Sequence, residues 1–344
     1  MLALNFAAAG TSPPVDLSLD STLAGIEAML IQTGRDDRPP RIGVVRLGRG
    51  RYIPADLWNT LSPEQRHLAQ MLAFGSRTAH GPVFSHISAA VLFGLPLRDA
   101  SVQPVHVTAA SNGASRRRAG LVRHRAALGP GDVVTVGGLL CTAPDRTILD
   151  IARFMAPETA IACADAYLRA RFRVGRHIDE EFLGRWREDM KLRIRRHCGE
   201  RGIARARDLL KVSDPRTDSV LESVSHLYLR RFGFEIELQV PVVIPGGQTY
   251  YADFEFLGRD RFGECDGKLK YVDSGLRGGK SAEEVVYREK RRRDLIEGVT
   301  NKRIVRWGWR EISSEGAFAR MLDGFGIGIP RPPSGFRRAR TRRG

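Results

Sequence analysis

The chain reads as an α/β (α+β) protein of two or three domains. Three observations lead there. Short β-branched runs punctuated by glycine alternate with capped, helix-periodic segments along most of the length. The 344 residues exceed one ordinary domain, and a hydrophobic content of 42% is enough to build real cores. The composition turns abruptly charged over 171–216, as at a junction between domains.

Taken in order, residues 1–20 are Ala-, Ser- and Pro-containing and read as loose. Asp20 or Ser21 caps a helix over about 22–33, with Leu23, Ile26 and Leu30 spaced along it. Ile42 to Leu47 is a strand, Gly48-Arg49-Gly50 turns it, and Arg51-Tyr52-Ile53 returns as a hairpin with a basic tip. Ser62-Pro63-Glu64 opens a helix to about residue 75. Ser85 to Phe93 is a short buried helix stopped by Gly94 and Pro96. Strands follow at Val105–Thr108, Leu121–His124, Val133–Val136 and Leu139–Thr142. Asp145 caps a helix to about Phe154, and a second helix covers about 157–171. Residues 21–170 are therefore a mixed α/β region.

Over 171–216 the pattern is helical and basic, with twelve Arg or Lys from Arg171 to Arg207 and Phe182, Trp186, Met190 and Ile194 at every fourth position. The segment reads as a basic helical bridge: a solvated charged face over a narrow apolar stripe, or a surface for DNA. Residues 217–329 form the last folded region. The tail, 330–344, holds six Arg and no acid and reads as disordered; Arg337 and Arg338 sit there as phosphate contacts.

A net charge of +16 favours phosphate backbones or anionic surfaces as partners. No run approaches 18 apolar residues, so no membrane span is expected. Met1 to Ala9 is short and lacks a basic start, so no secretory leader is expected and the predicted location is cytoplasmic. The four cysteines show no paired spacing that would predict zinc or a disulfide framework. His86, His106 and His124 are separated by 20 and 18 residues, which fits no metal motif, and they read as structural histidines. Arg146 and Asp150, four apart on a helix, read as an ion pair.

The chemistry-bearing stretch is 217–312. Thr217 or Asp218 begins a helix that ends before Gly233, and Phe234–Val243, Tyr250–Leu257 and Phe262–Leu269 are strands. If Gly258 pairs with Arg261 across a two-residue turn, Glu255 faces Glu264 and Asp253 faces Asp266. Side chains alternate with period two, so these four carboxylates and Lys268 then share one face, while Phe254 and Phe256 point to the other. Four carboxylates on one face repel one another, and a hard divalent cation is the natural counter-charge.

Asp253-Phe254, followed by Glu264-Cys265-Asp266-Gly267-Lys268, resembles the core of the PD-(D/E)XK superfamily, more closely its Vsr-like (very-short-patch-repair) endonuclease-type domains. Glu222, Gln239, Glu289-Lys290, Arg293-Asp294-Leu295 and Ile304-Val305-Arg306-Trp307 fall in matching order. The resemblance covers about 100 residues. It implies a restriction-endonuclease-like core with a mixed central sheet, Mg2+ (or Mn2+) as cofactor and hydrolysis of phosphodiester bonds in DNA. It assigns Asp253 and Glu264 as metal ligands, Glu222 as an assisting carboxylate, and Asp266 and Lys268 as further catalytic residues. Asp266 occupies the place where the superfamily often has lysine. Lys268 or Lys290 is expected to hold a phosphate oxygen, and Arg293, on the same nucleic-acid-facing helix as Lys290, to support that helix against the sheet.

Residues 41–170 resemble the abortive-infection type IV antitoxin family (AbiEi-like), through Gly48-Arg49-Gly50-Arg51-Tyr52, Ser85-His86-Ile87-Ser88-Ala89-Ala90, Leu92-Phe93-Gly94-Leu95, Val105-His106-Val107-Thr108 and Arg146-Thr147 with Asp150. That resemblance implies a winged-helix-like start, with Arg46, Arg49 and Arg51 on the wing near phosphate, and a cognate toxin or regulatory partner. The expected function is a DNA-binding protein with an Mg2+-dependent endonuclease-like domain. The alternative is a transcriptional regulator or antitoxin-like DNA binder whose nuclease fold is inactive.

Overall fold

The computed structural model describes residues 17–33, 42–75, 82–97, 104–109, 116–118, 120–266 and 282–331. Two compact units divide the chain, Met1–Pro215 and Arg216–Gly344. Lys268, Arg337 and Arg338 lie outside the described residues, as do most of the segment read as a loose N-terminus and nearly all of the arginine-rich tail.

In the first unit, α1 (Leu17–Ala28) buries Leu19, Leu23 and Ile26. It ends earlier than its periodicity suggests, because Ile31 is drawn into a strand. That strand, β1 (Ile31–Gln32), pairs with β3 (Arg51–Pro54), and β3 pairs with β2 (Val44–Gly48). The β2–β3 hairpin puts Arg46 and Arg49 at the surface and half-buries Arg51. Helix α2 (Ala55–Thr60) follows β3 directly. A reciprocal cap starts α3 (Pro63–Gly75): the Gln65 N–H donates to Ser62 Oγ at 3.2 Å, and the Ser62 N–H donates to Gln65 Oε1 at 2.9 Å.

A six-stranded mixed sheet carries the centre of this unit. Its strands are β4 (Val83–Phe84), β5 (Val105–Ala109), β6 (Arg116–Arg118), β7 (Leu121–Arg125), β8 (Val133–Val136) and β9 (Leu139–Thr142), in the order β6-β7-β5-β4-β9-β8. The wholly buried α4 (His86–Leu92) adjoins α5 (Pro144–Phe154), which packs on α6 (Pro157–Phe172). A two-residue ribbon, β10 (Arg173–Val174) and β11 (His177–Ile178), leads to α7 (Glu180–Arg196) and α8 (Ile203–Val212).

The basic segment belongs to this core. Leu183, Trp186, Met190 and Ile194 are buried, and Phe182, which the every-fourth spacing favours, is only half-buried. The Trp186 indole and the Tyr167 hydroxyl both donate to Asp145 Oδ1 at 2.8 Å, tying α7 to α5 and α6. Arg153 donates to Glu200 at 2.7 Å, and Arg205 donates to the Ala152 carbonyl at 3.2 Å.

The second unit runs α9 (Val220–Arg231), β12 (Ile236–Val243), β13 (Thr249–Phe256), β14 (Arg261–Cys265), α10 (Ala282–Thr300), β15 (Arg303–Trp307) and α11 (Glu315–Gly324). Its sheet has the order β12-β13-β14-β15 and is mixed: β14 pairs antiparallel with β13 and parallel with β15. One face packs Phe254 and Trp307 with the aromatic rings of Tyr228, Phe232 and Phe318 from α9 and α11. On the other face Phe262 and Ile304 meet Ile296 of α10. Gly263 has no room for a side chain, since a Cβ there would stand 2.2 Å from Trp307 Cη2.

The register differs from expectation by two residues. Phe256 pairs with Arg261, Glu255 with Phe262 and Phe254 with Gly263. Leu257, Gly258, Arg259 and Asp260 all belong to the turn, and Gly258 adopts φ +70. A shift of two preserves parity, so Phe254 and Phe256 still face one core, but Glu255 is opposite Phe262 rather than Glu264.

Candidate active site in the C-terminal unit

Glu222 is held by the start of α9. Its N–H donates to Ser219 Oγ at 3.2 Å, and its carboxylate accepts from the Ser219 hydroxyl and the Asp218 N–H, each at 2.8 Å. This is a close variant of the capping box. The sequence Ser219-Val220-Leu221-Glu222 therefore buries a carboxylate at a fixed place above β12 and β13.

Gln239 lies in β12 with φ +53, a conformation rarely adopted by residues other than glycine. Its amide Nε2 donates to Glu222 Oε2 at 3.1 Å and, more weakly, to Asp253 Oδ1 at 3.4 Å. The β13–β14 ladder ends at Phe254–Gly263, one residue short of Asp253. There the Cys265 N–H donates to Asp253 Oδ2 at 2.7 Å. Burial pushes the Cys265 thiol well above its ordinary pKa, and the nearby Asp253 and Glu222 carboxylates push it further. This thiol stays protonated near neutrality, against Ser225 Oγ at 3.5 Å.

Glu264 has different company. Its Oε1 accepts from Arg292 of α10 at 3.0 Å, and its Oε2 accepts from Arg306 of β15 at 2.9 Å. Glu255 is paired with Lys302. The repulsion expected among the carboxylates is thus relieved, at Glu255 and Glu264, by basic side chains of this chain itself. Arg292, Arg306 and Lys302 are invisible to a count of strand parity, because they arrive from α10, β15 and the turn between them.

Asp266 continues the β15 pairing through its N–H to the Trp307 carbonyl at 2.8 Å, with a half-buried side chain. Lys290 and Arg293 are exposed on α10, and Arg293 pairs with Glu297 at 3.2 Å. Of the residues singled out from sequence, Glu222 and Asp253 are brought together through Gln239. Glu222, Asp253, Glu264 and Asp266 supply no group of three ligand atoms lying within 4.8 Å of one another; among the described residues only His86, His106 and His124 do. The donor set around Gln239 is all oxygen, which fits a hard divalent ion, while Glu264 would join it only by loosening its arginine contacts.

No family model matches the chain, and no solved structure matches it. Two relatives, uncharacterized proteins from two strains of Mycobacterium tuberculosis, are each 35% identical over 120 residues. The match covers 35% of this chain and 40% of each relative. The chain thus spans well under half the length of the curated relatives it matches. Among the described residues, no helix is long and apolar enough to cross a membrane.

Proposed function

We propose that this chain is a DNA-binding protein whose C-terminal unit is an endonuclease-like domain acting on phosphodiester bonds with Mg2+ or Mn2+. The observation that carries the reading is the Glu222–Gln239–Asp253 contact at the place where the β13–β14 ladder opens. A mixed sheet between α9 and α10 is the setting that the PD-(D/E)XK resemblance implies. Asp253, with Glu222 and Glu264, would hold the ion, which supplies charge neutralisation and an activated water. Gln239 holds two carboxylates side by side, and the Cys265 N–H orients Asp253. The net charge of +16 supplies attraction for the nucleic acid.

A second reading has its own support. Arg292 and Arg306 already neutralise Glu264, which favours a DNA-binding regulator or antitoxin-like protein that retains the fold without the chemistry. The winged-helix-like start, with Arg46, Arg49 and Arg51 on the β2–β3 hairpin, serves either reading. Plasmid cleavage in Mg2+ or Mn2+, with Asp253→Ala as control, separates them. Cleavage by the wild type alone supports the enzyme. DNA binding that falls steeply with salt, without cleavage, supports the regulator.

A further inference from the structure

In the first unit, three histidines distant in sequence converge. Parallel pairing of β5 with β7 puts His106 opposite Val122 and Thr108 opposite His124, so both histidines lie on one face of the sheet. The His106 Nδ1 and His124 Nε2 atoms are 2.9 Å apart. His86, the first residue of α4, stacks on His124 with ring centroids 3.6 Å apart. One ligand nitrogen from each of the three rings falls within a 4.8 Å group.

Two features set this apart from a satisfied histidine core. His86 adopts φ +53, and the Ser88 hydroxyl accepts the His106 N–H at 2.8 Å, pinning α4 against β5. A non-glycine residue is strained in that conformation and is maintained in it only where the surroundings enforce it. His86 Nδ1 is engaged by Ser85 Oγ at 3.0 Å, whereas its Nε2 is buried with no hydrogen-bond partner. Metal-binding histidines commonly have one ring nitrogen fixed by a neighbour and the other free to ligate.

His86 and His124 line a cavity of about 750 Å3, together with Arg117, Arg123, Arg125 and Arg146. Arg146 donates to Asp150 at 2.9 Å and to Asp132 at 3.0 Å, yet its second terminal nitrogen is buried without a partner. We propose that His86 Nε2, His106 Nδ1 and His124 Nε2 form a site for a divalent transition-metal ion of the zinc class, with an open position facing this cavity and taking an anionic ligand.

The chemistry favours that class. Three imidazoles suit zinc or cobalt, whereas magnesium and calcium require oxygen donors. Tetrahedral coordination at about 2.0–2.1 Å spaces ligand nitrogens about 3.4 Å apart, so on ligation the His106–His124 contact opens by about half an ångström and the stacked His86 ring turns so that its in-plane lone pair meets theirs. The surrounding guanidinium groups oppose a bare cation. Asp150 and Glu200, also on the cavity wall, offset part of that charge, and an anion on the metal offsets more.

The test is a Co2+ titration of the full chain, read by visible absorption, followed by displacement with Zn2+. One equivalent should develop ligand-field bands, and inorganic phosphate should shift them. Asp253→Asn should develop the same bands at the same equivalent, which separates this site from the C-terminal carboxylates. His106→Gln and His124→Gln should abolish the bands while melting as cooperative folded proteins. X-ray absorption of the zinc-loaded wild type gives a measure independent of any variant and should show imidazole ligands without sulfur. Arg117→Ala should keep the metal and weaken the phosphate-induced shift. Absence of Co2+ uptake, uptake insensitive to both histidine changes, or phosphate bound equally well in the presence of a chelator would each overturn the proposal, the last by assigning the cavity to anions alone.

Discussion

The Cys265 N–H donates to Asp253 Oδ2 at 2.7 Å, beyond the last paired residues of β13 and β14. A side-chain carboxylate thus substitutes for the carbonyl that a continued ladder would have supplied. Asp253 is held rigidly, and one of its oxygens is committed to the backbone.

Asp253→Asn tests what that commitment does. The asparagine oxygen can still accept the Cys265 N–H, so the fold should lose no more than about 1–2 kcal/mol, the difference between a charge-assisted and a neutral hydrogen bond. If the unit is a nuclease, cleavage should vanish and the melting shift produced by Mg2+ or Mn2+ should shrink, while DNA binding in EDTA persists. A variant that cleaves like wild type would remove Asp253 from the chemistry.

What was legible in the sequence was local. Ser62-Pro63-Glu64 marks α3, Gly48-Arg49-Gly50 marks the β2–β3 turn, and Asp253, Phe254 and Phe256 fall in a strand with the anticipated parity. The β13–β14 register departs from the expected one because Gly258 enters the turn in a left-handed conformation, lengthening it from two residues to four. Parity survives an even shift, but partners do not. The arginines on Glu264 and the joining of His86, His106 and His124 depend on parallel pairing and helix docking, which leave no periodic trace. The basic stretch 171–216 reads as a bridge because its apolar stripe is narrow, yet Leu183, Trp186, Met190 and Ile194 suffice to dock it.

Gly263→Ala should damage the second unit severely. The added Cβ would meet Trp307 Cη2 at 2.2 Å and Cζ3 at 2.8 Å, with Phe256 at 3.3 Å on another side. Trp307 is packed between Phe254 and Phe318 and has nowhere to withdraw. Overpacking of this kind costs about 1–3 kcal/mol or more. Chemical denaturation should show the loss, and an unchanged midpoint would mean that the indole is not where the structure places it.

Asp132 predicts an acid-sensitive element in the first unit. Burial alone would raise its pKa, but the Gly129 N–H and the Arg193 and Arg146 guanidinium groups hold it below the ordinary value of 3.8. A carboxylate depressed on folding adds stability that is fully present above its unfolded pKa and is lost as pH falls through the lower folded value. Asp132→Asn should therefore be less stable than wild type near neutrality. The gap should narrow only below about pH 4, the region of the unfolded carboxylate pKa. Melting curves at several pH values would show it, and a gap that instead closes between pH 5 and 7 would point to another group.

Glu264→Gln decides how much of the carboxylate constellation is structural. Glu264 is 9% exposed in its side chain and accepts from Arg292 and Arg306, themselves 23% and 29% exposed. Removing its charge leaves two guanidinium groups facing a neutral amide between α10 and β15. Breaking a buried pair from one side typically costs about 3–5 kcal/mol, and the partial exposure of these arginines argues for the lower end. The loss should appear in EDTA as fully as in Mg2+. That pattern would separate Glu264 from Asp253, whose asparagine variant keeps its backbone contact. If Glu264→Gln instead melts like wild type in EDTA and differs only when divalent metal is added, the arginine contacts contribute little, and Glu264 is a metal ligand first.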